Sequence, residues 1–133
     1  MVFYNCNRHM GSEFGDEWKI KRHLDDARRS GVFTNGHCHS LAFALHKLTG
    51  WDLIAAGTHE ECEPRHIAVQ SPTGRIFDVN GFSDLFEFEQ KYGKVKRYKN
   101  LVYLRRKLNP FYRTAQTRTA MPYAKMLLEE YNL

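Results

Sequence analysis

Among the cysteines, histidines and acids of this 133-residue chain, three stand where sulfur-based acyl chemistry would need them. Cys38 follows Asn35-Gly36-His37 and opens the run His39-Ser40-Leu41-Ala42-Phe43-Ala44-Leu45-His46. A cysteine at a helix start meets unpaired backbone N–H groups and the positive end of the helix dipole, which favour a thiolate. Leu41, Ala42 and Leu45 follow at i+3, i+4 and i+7, so the sulfur lies on the face with which the helix packs. A thiol nucleophile needs a base, and the base needs a partner that fixes its tautomer. Two apolar segments downstream offer both: Arg65-His66-Ile67-Ala68-Val69 and Ile76-Phe77-Asp78-Val79.

The segment Ser71-Pro72-Thr73-Gly74 between them is strong turn punctuation and predicts a β-hairpin of strands 65–70 and 75–79. Pairing Ser71 with Arg75 sets Ala68 opposite Asp78 and His66 opposite Asn80. His66 and Asp78 then lie on one face as diagonal neighbours within reach of each other. A slip of one residue would send them to opposite faces. An acid flanked by Phe77 and Val79 inside a strand also calls for a partner. Asn80-Gly81 reads as the exit turn of that strand.

Around this hairpin the periodicity predicts an amphipathic helix over 16–29, carried by Trp18, Ile20, Leu24 and Ala27, and a second helix over 37–48 closed by Gly50. A short strand follows at 51–56. Ser83 is the expected cap of a helix over 84–92, which Gly93 ends. Weaker strands are expected at 95–98 and 101–104, and a final helix with Pro122 in its first turn. The plan is α+β, one domain over residues 1–133, with N-terminal helices packed on a small antiparallel sheet.

A cysteine opening a helix, a histidine beginning an apolar strand and an aspartate on the next strand is an order that resembles the papain-like and transglutaminase-like cysteine enzymes. The residues that carry it are Gly36-His37-Cys38, then Arg65-His66-Ile67-Ala68-Val69, then Gly74-Arg75-Ile76-Phe77-Asp78-Val79-Asn80-Gly81. With Thr49-Gly50-Trp51 after the helix, the segment is also similar to a group of small bacterial and phage proteins. The resemblance covers residues 32–83. It implies a minimal papain-like fold with a Cys38, His66 and Asp78 triad, and a hydrolase or transferase of cysteine-protease type. Asn35 is the expected side chain of the oxyanion hole beside the Cys38 backbone N–H, with His37 second. Papain-like enzymes place a Gln slightly earlier, where this chain has Val32 and Phe33 nearby.

Three cysteines, Cys6, Cys38 and Cys62, are too few for a disulfide framework and are expected as free thiols in a reducing, cytoplasmic compartment. Residues 1–8 lack a basic stretch followed by an apolar core, so no signal peptide is expected, and no apolar run is long enough for a membrane helix. His37, His39, His46, His59, Cys62 and His66 raise a zinc alternative. Yet His37 and His39 project roughly 200° apart on a helix, and no Cys-x-x-Cys or His-Glu-x-x-His spacing is present. No metal and no cofactor are expected.

Net charge is split, −4 over residues 1–90 and +9 over 91–133. The bland account is a solvated surface; the sharper one is a docking face for an acidic macromolecule. Tyr92, Tyr98, Tyr103, Phe111, Tyr112 and Tyr123 interleave with that charge and read either as stacking surfaces for single-stranded nucleic acid or as the outer layer of a small core. The expected function is thiol-dependent acyl chemistry: hydrolysis, deamidation or transfer at a peptide, isopeptide, amide or thioester bond. The alternative is a non-catalytic binding protein or inhibitor that uses the basic region on nucleic acid or an acidic protein.

Overall fold

The computed structural model describes residues 28, 31, 33, 38–57, 65–98 and 114–133. Within them three helices and a five-stranded antiparallel sheet form an α+β structure. In chain order these are α1 (Cys38–Thr49), β1 (Asp52–Ala56), β2 (His66–Gln70), β3 (Ile76–Asp78), β4 (Gly81–Ser83), α2 (Leu85–Tyr92), β5 (Val95–Tyr98) and α3 (Thr114–Glu130). The strands lie in the order β4-β3-β2-β1-β5. The expected helix over 16–29 falls outside the described residues except for Arg28, and the expected strand over 101–104 lies wholly outside them.

Helix α1 is the centre of the packing. Its first eight residues, Cys38 to Leu45, carry no formally charged side chain, and all are buried. A helix apolar on every side has to be covered on every side. Strands β1 and β2 cover one flank through Leu53, Ala55, Ile67 and Val69, and α3 covers another. On α3 the buried residues Thr117, Ala120, Tyr123, Ala124 and Leu127 fall three or four apart, one stripe of a helix. Ala120 and Ala124, one turn apart on α3, keep part of this buried stripe short. Gly50, at φ +75°, ends α1 and donates to the carbonyl of His46 at 2.8 Å.

The opposite face of the sheet carries a smaller core of Ile54, Ala56, Ala68 and Ile76, closed by Phe88 of α2. Covered on both sides, β1 and β2 are buried along nearly their whole length. The hairpin has the expected register: Gln70 pairs with Ile76 and Val69 with Phe77, while Ser71 N–H donates to Arg75 at 2.8 Å. Gly74, at φ +89°, closes the turn by donating to the Ser71 carbonyl.

Three local expectations need correction. Asp84, not Ser83, caps α2, because only Asp84 has a glutamate three residues on: Glu87 N–H donates to Asp84 Oδ1 at 2.8 Å, and Asp84 N–H to Glu87 Oε1 at 3.3 Å. Ser83 instead ends β4, a strand not foreseen, which begins at Gly81 after a two-residue turn. Pro122 lies well inside α3 rather than in its first turn. Burial of the Thr117 to Leu127 stripe outweighs the single backbone hydrogen bond that proline removes. Among the described residues no helix is long and apolar enough to cross a membrane.

Gly81, at φ +94°, has no room for a side chain: a Cβ there would overlap the hydroxyl of Tyr131, whose ring packs edge-on against Phe77 and Phe82. Gly74 has a similar φ but open space around it. Gly74→Ala should therefore cost about 1 kcal/mol from backbone strain alone. Gly81→Ala should cost at least twice that in urea denaturation, and Tyr131→Phe should recover part of the difference; equal costs for the two glycines would contradict this packing.

Candidate active site

The hairpin and the start of α1 bring the three expected residues to one place. Cys38 is the first residue of α1, His66 the first of β2 and Asp78 the last of β3. Alternation along β2 and β3 puts His66 and Asp78 on the α2 face, with Ala68 and Ile76. Continuing the observed ladder sets Ala68 opposite Asp78, which makes His66 and Asp78 diagonal neighbours. His66 Nε2–H donates to Asp78 Oδ2 at 2.9 Å. The other carboxylate oxygen, Oδ1, accepts from the backbone N–H of Asn80 at 2.9 Å, so the carboxylate is held at both ends. The next residue along is tied down as well: Arg28 donates from Nε to the Val79 carbonyl at 3.0 Å while its terminal nitrogens grip Glu130.

Cys38 is a free, buried cysteine that packs with the large core, and His66 is completely buried. With Nε2 taken by Asp78, Nδ1 is the ring nitrogen left over, and among the described residues it has no partner of full hydrogen-bond geometry. Cys38 is nevertheless near enough to act on the ring, both as a hydrogen-bonding group and as a charge. Burial works to lower the His66 pKa, but the hydrogen bond to Asp78, the interaction with Cys38 and the charges of both outweigh it and push the imidazole up to about 9.

Aromatic rings from α2 close the site from the other side. Tyr92 stacks on the His66 ring with centroids 4.1 Å apart and planes 20° apart, and Phe88 sits at 5.7 Å. Burial, then the charges of Asp78 and Cys38, push the Tyr92 phenol up to about 12, so its hydroxyl keeps its proton. Asp78 and Tyr92 also line a hollow of about 270 Å³, together with Asn80, Ser83, Glu87 and Lys91. It is the route by which Asp78, 13% exposed, meets solvent.

The other sequence candidates fall elsewhere. Asn35 and His37 lie outside the described residues, as do Cys6, His59 and Cys62. His39 is buried beside Phe43, with Nε2 3.2 Å from Ser40 Oγ. His46 bonds the Trp51 carbonyl through Nδ1 at 2.6 Å. Among the described residues no three metal-ligating side chains converge. Of the aromatics read as stacking surfaces, Tyr98 and Tyr123 are buried in the large core and Tyr92 lies on His66; Tyr103, Phe111 and Tyr112 are outside the described residues. The contact of Tyr92 with His66 was missed. Its signal was there in the i, i+4 spacing of Phe88 and Tyr92 on one helical face.

No family model matches the chain, and neither the curated proteins nor the solved structures contain a match to it.

A buried histidine with a raised pKa ties stability to pH. Because the folded value of about 9 exceeds the unfolded 6.5, folding takes up a proton between them. The contribution is fully present below 6.5 and is lost as pH rises through 9. The unfolding free energy should fall by about 3 kcal/mol across that window. Asp78→Asn should flatten the slope, and an unchanged slope in that variant would break the link to this pair.

Proposed function

We propose that this chain is a papain-like thiol enzyme in which Cys38 is the nucleophile, His66 its base and Asp78 the group that orients the base. One observation carries the proposal: a buried imidazole bonded to Asp78 through Nε2, its second nitrogen unclaimed and a free cysteine acting on the same ring. In this scheme the proton of Cys38 has already passed to His66 when the sulfur attacks an acyl carbon. The imidazolium then protonates the leaving amine or thiol as the tetrahedral intermediate collapses to a Cys38 thioester. Water, deprotonated by His66, releases the acid and restores the sulfur beside the protonated imidazole; an amine in place of water makes the same cycle a transferase. The Cys38 backbone N–H at the helix start, with Asn35, would hold the oxyanion.

Iodoacetamide at neutral pH with mass-spectrometric mapping tests the reading. Cys38 should be labelled before Cys6 and Cys62, and His66→Ala should slow its labelling by about a hundredfold. p-Nitrophenyl acetate should leave an acetyl group on Cys38. Equal labelling of the three cysteines, insensitive to His66, would overturn the proposal. It would favour the competing reading of a non-catalytic binding protein, which draws on the near-complete burial of Cys38 and His66.

The basic residues Lys94, Lys96 and Arg97 are exposed or partly exposed at the β5 end of the sheet, and Lys99 follows them in sequence. They suit an acidic macromolecular substrate or partner. Reversing the four to Glu should weaken capture of such a substrate at low salt and leave p-nitrophenyl acetate acylation unchanged; unaltered capture would remove this role.

A further inference from the structure

We infer that Tyr92 is a positioning residue for the His66 imidazole, its ring setting the plane of the base and its backbone seated against the strand that pairs with His66. The inference rests on the proposed role of His66 as the base of Cys38.

A hydrogen bond from Nε2 to Asp78 fixes one end of the imidazole but leaves the ring free to tilt about that axis. The tilt decides whether Nδ1 faces the sulfur. The near-parallel stack of Tyr92 at 4.1 Å removes that freedom, and Phe88 supports both rings, 5.7 Å from His66 and 5.0 Å from Tyr92. Tyr92 is itself located through the backbone. Its carbonyl oxygen lies beside Gly57, where an added Cβ would come within 2.8 Å of it and still nearer the Arg65 side chain, and Gly57 N–H donates to the Lys94 carbonyl at 2.9 Å. Gly57 directly follows Ala56, the strand partner of His66. The contacts therefore close a ring: His66 to Ala56, Ala56 to Gly57, Gly57 to the Tyr92 backbone, and the Tyr92 side chain back to His66.

The stack also acts on charge. An imidazolium over an aromatic face is favoured over a neutral imidazole, so Tyr92 helps keep the proton that the Asp78 bond and Cys38 place on His66. Among the described residues the ionisable groups around His66 are Asp78 from β3, Cys38 from α1 and Tyr92 from α2, with the Lys91 ammonium 5.3 Å from the Tyr92 ring. Phenylalanine would keep the face and lose only the hydroxyl. Leucine would keep apolar cover and lose the face.

Imidazole NMR titration of the ¹⁵N-labelled full chain separates these cases without any assay of turnover. Tyr92→Phe should titrate His66 as the unaltered protein does. Tyr92→Leu should lower the midpoint by about half to one pH unit through loss of the π face. An unchanged midpoint in Tyr92→Leu, or an equal shift in Tyr92→Phe, would overturn the inference, the second by assigning the effect to the hydroxyl. Failure of selective Cys38 labelling in the unaltered protein would instead strike at the proposed function and leave the titration result standing.

Discussion

A charged imidazole inside a protein is costly unless something answers its charge. His66 is completely buried, and its answer is the carboxylate of Asp78, held at both oxygens so that it cannot turn away. The rest of the fold follows from bringing these two groups together from strands joined by a three-residue loop. The ladder must run in one register, the next turn must place the Asn80 N–H under Oδ1, and Gly81 must leave space for Tyr131. Each condition is local, and each fails alone if one residue is wrong.

The layering serves the same end. Because α1 and α3 occupy one face of the sheet and α2 the other, the central strands are dry on both sides, and the His66–Asp78 bond forms in a medium where it is strong. Cys38 reaches this pair from the helix that is most completely enclosed. The thiol therefore starts from a rigid support, with its neighbours in rotamers set by packing rather than by solvent. A loop-borne cysteine would lose conformational freedom each time it approached the imidazole.

Where local chemistry decides, the chain could be read directly. Pro72 and Gly74 specify the turn, the turn specifies the register, and the register places His66 diagonal to Asp78; that entire inference runs over residues close in sequence. Helix α1 was equally legible, from its uncharged run and Gly50. Tertiary terms hid the rest. Pro122 reads as a helix start until the buried stripe on either side of it is known. Strand β4 is only three residues long and owes its existence to a glycine beneath Tyr131. The i, i+4 spacing of Phe88 and Tyr92 marks a shared helical face, but not that this face would meet a histidine 26 positions earlier. Only the crossing of α2 over the sheet brings them together.

The exposed loop Pro72, Thr73 and Gly74 has an unusual constraint for a solvent-facing segment. Apart from Gly74, whose φ of +89° favours glycine, the tip carries exposed side chains that bury nothing large. Its length is tied to the register of the ladder below it. An insertion or deletion that slipped the register by one would turn the whole of β3 over, carry the Asp78 carboxylate into the large core and bring Phe77 out beside His66. Related chains that keep the His66–Asp78 pair should hold the number of residues at this tip and the glycine that closes it more strictly than the other letters.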